Sequence, residues 1–66
     1  MKIIVNGQER EFNENTTLQK VLKALSLEGK VMAAAVNMNI IKQDQWAEFI
    51  VHEGDKLELL DFVGGG

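Results

Sequence analysis

The chain has 66 residues, with ten acidic and seven basic side chains, a net charge of −3 and no cysteine. A chain of this size holds one domain and buries only about 60% of its unfolded surface, and without cysteine no disulfide or thiolate metal site can staple it. The acidic balance disfavours nucleic-acid phosphate, no apolar run approaches the roughly 20 residues that span a bilayer, and the apolar part of MKIIVNGQER is too short for a signal peptide; a cytoplasmic protein without nucleic-acid or membrane partners is expected.

MKIIVNGQEREF predicts a hairpin. Ile3, Ile4 and Val5 are β-branched, Asn6-Gly7 is a type I′ turn signal, and Phe12 closes the second strand. In NENTTLQKVLKALSLEG the period changes: Leu18, Val21, Leu22 and Leu25 follow the i, i+3, i+4, i+7 spacing of one helix face, with Lys20 and Lys23 on the wet side. Thr16 and Gln19 fit a capping box, and Gly29 is the expected stop.

KVMAAAVNMNII reads as two strands about a polar centre, Asn37-Met38-Asn39. KQDQWAEFIVHEGD predicts a short helical turn with Asp44 as N-cap and Trp46, Phe49 and Ile50 facing inward. A turn around Gly54 follows, between His52 and Asp55. In KLELLDFV, Leu57 and Leu59 share one face, and Lys56, Glu58 and Leu60 the other.

This order of elements predicts an α+β domain of two layers, one main helix crossing one face of a mixed sheet of about five strands. The first and last strands are the most apolar, so they are expected side by side at the centre and parallel, with the hairpins supplying antiparallel edges. Ile3 and Val5 then face the helix, and Ile4 and Leu60 face away from it. That second face has no helix to cover it. Ile4, Leu60 and Phe62 are therefore the candidate partner-docking residues, with Ala33 and Ala35 beside them and Lys2, Lys56 and Glu58 around them.

Catalytic constellations are absent from the sequence. His52 has Glu53 and Asp55 nearby but no cysteine nucleophile to serve, Ser26 lacks a Gly-x-Ser-x-Gly context, and the carboxylates are dispersed rather than gathered for a metal. VGGG is no phosphate loop, because no helix follows it. Three of the six glycines occupy positions 64–66, where they have no side chain to bury. A frayed end and a carrier arm are both compatible with that composition. As an arm, three extended glycines reach roughly 10 Å, and the carboxyl group of Gly66, once joined to a leaving group such as AMP, becomes an acyl donor.

The whole chain resembles the ThiS family of sulfur carriers in thiamine biosynthesis, which are ubiquitin-like β-grasp proteins. The resemblance lies in AVNMNII at 35–41, DQW ending at Trp46, IVHEGD at 50–55, and a last strand running into terminal glycines. It implies a β-grasp body over 1–63 with a glycine tail over 64–66. It also implies a carrier that is no enzyme itself and binds no cofactor. A ThiF-type adenylyltransferase would use ATP to adenylate Gly66, and a cysteine desulfurase persulfide would supply sulfur to form a thiocarboxylate. A ThiG-type thiazole synthase would accept that sulfur. Gly65 and Gly66 match the family's terminal pair, Gly64 is an additional glycine in the tail, and Lys42-Gln43 stands where family members often carry Pro-Arg. The small subunit of molybdopterin synthase and a tRNA-thiolation carrier share this terminal chemistry, while a plain β-grasp interaction module would have no use for it.

Overall fold

The computed structural model describes residues 1–61. Five strands and one α-helix follow in the order β1 (Lys2–Val5), β2 (Gln8–Glu11), α1 (Leu18–Ala24), β3 (Val31–Val36), β4 (Asn39–Ile41) and β5 (Lys56–Asp61), with a 3-10 turn over Gln43–Gln45 before β5. The sheet order is β2-β1-β5-β3-β4. β5 is central, parallel to β1 and antiparallel to β3, and the two hairpins close the edges. This is the ubiquitin-like β-grasp, with the helix on one face.

The core is built from one face of each strand and one stripe of the helix. Ile3, Val5, Val31, Ala34, Val36, Leu57 and Leu59 pack with Leu18, Val21, Leu22, Trp46 and Val51. The two-residue period sorts β1 and β5 into an inward and an outward row, and β3 likewise from Ala33 onward, after the register shift between Val31 and Ala33. β2, read QERE, is exposed throughout, and its charged side chains blunt the edge against further strand pairing. No polar residue is buried among those described. Nor is any helix among them long and apolar enough to cross a membrane.

Both hairpin turns put their two central residues at positive φ, Asn6 and Gly7 at 48° and 84°, Asn37 and Met38 at 51° and 72°. That is the type I′ pattern, whose twist matches the flanking strands. The second turn is a residue shorter than the three-residue centre expected, so Asn39 belongs to β4 and pairs with Val36.

The helix is shorter than its periodic stretch. Thr17, not Thr16, is the N-cap, accepting from the Lys20 N–H at 3.3 Å, while the Thr16 hydroxyl donates to Asn13 O at 2.6 Å. At the other end Gly29 is not the stop. The Ser26 N–H bonds Lys23 O and the Leu27 N–H bonds Leu22 O, a Schellman closure with Ser26 held at φ 60°. Leu25 is consequently the C-cap residue, still partly buried and packed against the core that holds Leu18, Val21 and Leu22, and Gly29, at φ 79°, serves the turn into β3.

Corrections also fall in the segment before β5. Lys42 is the N-cap of the 3-10 turn and Asp44 lies inside it. Trp46 is buried as expected, with its indole N–H donating to Ile41 O at 2.9 Å. Ile50 is 40% exposed and Val51 is buried in its place. The chain beyond Phe49 is extended and hydrogen-bonded alongside the entry to the helix. A period of two thus replaces the helical spacing that would have turned Ile50 inward.

Candidate functional site

The strand that leads to the glycines is held at its start and along its middle by asparagines from the two hairpin turns. At its start, Asn37 donates from its backbone to Lys56 O at 2.8 Å and accepts from Lys56 N–H at Oδ1, 3.0 Å, while its Nδ2 donates to Asp55 Oδ1 at 2.9 Å. Asp55 in turn accepts the His52 N–H at 2.8 Å, which closes the turn containing Gly54. Further along, Asn6 donates from its backbone to Leu57 O at 2.9 Å. Its side chain then holds Leu59 by both backbone groups, Nδ2 donating to Leu59 O at 3.2 Å and Oδ1 accepting the Leu59 N–H at 2.8 Å. Asparagine suits both places because its short amide tolerates left-handed backbone while reaching neighbouring main-chain groups.

The open face of the sheet has two halves of different character. Across β2, β1 and the start of β5, Lys2 is paired with Glu11, and Ile4 stands between Glu9 and Lys56. Across β4, β3 and the end of β5, Ile40 is paired with Ala35, and Ala33 with Leu60. Ile40 is 72% exposed and Leu60 43%. The alanines between them make a shallow apolar depression, rimmed by Asn6 and Glu58. The first half is charged; the second is apolar and ends where β5 does.

This division corrects the expected grouping of Ile4 with Leu60. β1 pairs with β5 only at Lys56 and Leu57, because Asn6 and Gly7 turn the chain away into β2. Leu60 lies four positions beyond Lys56 along β5, about 13 Å at the rise of an extended strand, and Glu58 projects between them on the same face. Ile4 is more buried than Leu60, in the intermediate range, and sits at the margin. Ile40, by contrast, joins Leu60 although the sequence reading gave it no docking role. A two-residue turn at Asn37-Met38 fixes Ile40 opposite Ala35, and recognising that turn length would have placed Ile40 outward. Asn6 was legible as a turn residue, but its hold on Leu59 links positions distant in sequence.

Phe62, Gly64, Gly65 and Gly66 lie outside the described residues. Among the described residues, no group of three or more His, Cys, Asp or Glu side chains is placed to hold a metal ion. His52 is exposed in its turn.

Comparison with known proteins covers the whole chain. The model of the ThiS family matches residues 3–66. The sulfur carrier protein ThiS of Escherichia coli K12 is 32% identical over 66 residues, 100% of both chains. A thiazole synthase of Paramagnetospirillum magneticum is 36% identical over 66 residues, which are 100% of this chain and 20% of that protein. This chain therefore spans only that fraction of the synthase. Among solved structures, the thiamine biosynthesis protein ThiS from Geobacter metallireducens superposes with a TM-score of 0.82 at 27% identity, covering 100% of each chain.

Proposed function

The chain belongs to the ThiS family, and from that premise we propose that it is a sulfur carrier of thiamine biosynthesis whose reactive group is the α-carboxyl of Gly66. Residues 1–63 form the body that partners recognise, and residues 64–66 form the arm that enters their sites. The observation that carries the reading is the match to the Escherichia coli carrier along the full length of both chains. The apolar half of the open face supports it, because that half lies at the end of the strand leading to the arm.

The chemistry follows from the weakness of a carboxylate as an acyl electrophile. An adenylyltransferase of the ThiF type binds ATP, and the Gly66 carboxylate attacks its α-phosphorus to release pyrophosphate. The acyl adenylate formed has AMP as leaving group. The terminal sulfur of a cysteine desulfurase persulfide attacks the acyl carbon and AMP departs; a thiol then cleaves the S–S bond of the acyl disulfide, leaving a thiocarboxylate on Gly66 and a disulfide on the donor side. A thiazole synthase of the ThiG type accepts the sulfur. The likeness to part of a thiazole synthase supports that choice of partner. The carrier binds no cofactor and performs no catalysis of its own; ATP belongs to the activating enzyme.

In this cycle Gly64 and Gly65 let a partner's channel close on the backbone without meeting a Cβ. Leu60, Phe62 and Ile40 form the docking surface, with Ala33 and Ala35 as its floor and Ile4 at its far margin. Pathway assignment is tested by growth of a strain lacking the protein. A requirement for thiamine, relieved by the intact gene, is expected; a requirement for molybdenum cofactor instead assigns the chain to the other branch.

A further inference from the structure

We propose that Asn6 is a positioning residue for sulfur transfer, its carboxamide fixing the course of the strand from which the reactive tail departs. This rests on the carrier reading given above. The geometry is specific. β1 runs parallel to β5 and donates to it from Ile4 (to Asp55 O, 2.9 Å) and from Asn6 (to Leu57 O, 2.9 Å). At the next step of that ladder β1 has already turned away at Asn6-Gly7. The Asn6 side chain takes the place of the missing strand residue, supplying an acceptor to the Leu59 N–H and a donor to Leu59 O.

Backbone groups of a strand point alternately to its two sides, and those of Leu59 point toward β1, away from β3. Without the carboxamide they would have no protein partner among the described residues. Among the described residues Leu59 is also the last of β5 tied on that side, and Leu60 and Asp61 pair with β3, where the register shifts between Val31 and Ala33. The Asn6 bond pair is therefore the fixed point from which Leu60 takes its place on the apolar face. Docking that must also order a loosened strand end binds less well, because the backbone freedom is then lost on association.

The turn and the clamp make separable demands on Asn6. The turn needs a residue that accepts φ 48°, and glycine does so without strain. Asn6→Gly thus keeps the turn and the backbone bond to Leu57 while deleting both side-chain bonds. Asn6→Asp keeps an acceptor for the Leu59 N–H but offers no donor to Leu59 O, and it provides a second variant should the first fold poorly.

The experiment compares the full-length chain and both variants by amide hydrogen exchange and by ATP–pyrophosphate exchange with the activating adenylyltransferase. For Asn6→Gly, exchange at the Leu59 amide should rise about tenfold, the effect of losing one protected hydrogen bond, with Ile3 and Val5 unchanged. The KM for the carrier should rise about fivefold at constant kcat, and Asn6→Asp should fall between wild type and glycine. Unchanged Leu59 exchange, or raised exchange with an unchanged KM, overturns the positioning role alone. If the wild-type chain supports no pyrophosphate exchange with a demonstrably active enzyme, the carrier reading fails and this inference fails with it.

Discussion

Leu59 and Leu60 are neighbours on the same strand and differ in almost everything else. Leu59 is 5% exposed and packs in the core with the helix, whereas Leu60 is 43% exposed on a face that no described element covers. The difference is imposed by the two-residue period of a strand, which sends adjacent side chains to opposite sides. One strand can thus hold the body together with one row and meet a partner with the other. The two rows should respond independently to substitution, since changes on one side need not disturb the packing on the other.

The strongest attack on that separation is made from the inner row. Leu57 is 1% exposed at the centre of the core, and Leu57→Ala should lower the unfolding free energy by about 2–5 kcal/mol in a denaturant titration. In a domain of this size that is comparable with the whole stability. A loss much smaller than about 2 kcal/mol would show that Leu57 is not central to packing. On the outer row, Leu60→Asp should leave stability within about 0.5 kcal/mol and weaken association with the activating enzyme by about tenfold or more. Equal affinity for wild type and variant would remove Leu60 from the docking surface. The smallest effect is expected away from both rows. Ser26→Gly relieves a left-handed position at the helix end and should add about 1 kcal/mol of stability without altering partner affinity.

Much of this arrangement could be read from residue spacing. Alternation in KLELLD placed Leu57 and Leu59 inside and Leu60 outside, and Asn6-Gly7 located the first hairpin, because a strand's period and an I′ turn are local properties. Helix ends were less legible. The helix stops where Ser26 takes a left-handed conformation, and a serine there gives no signal comparable to the glycine three residues later. The proposed docking face was legible only in part. Leu60 follows from alternation within its own strand, but its neighbours depend on register between strands, set by a turn of two residues where NMN suggests three and by the early departure of β1 from β5. The Asn6 clamp spans 53 positions of sequence, and only the folded sheet brings its ends together.

In the proposed cycle Gly66 is the residue whose carboxyl group takes up the sulfur. The most direct test is the intact mass of the chain after incubation with ATP, the activating adenylyltransferase, a cysteine desulfurase with cysteine, and a thiol. Replacement of one oxygen by sulfur is expected, localised by fragmentation to Gly66 and absent from a chain lacking Gly65 and Gly66. An unchanged mass with enzymes shown to be active on another carrier would contradict this role for Gly66.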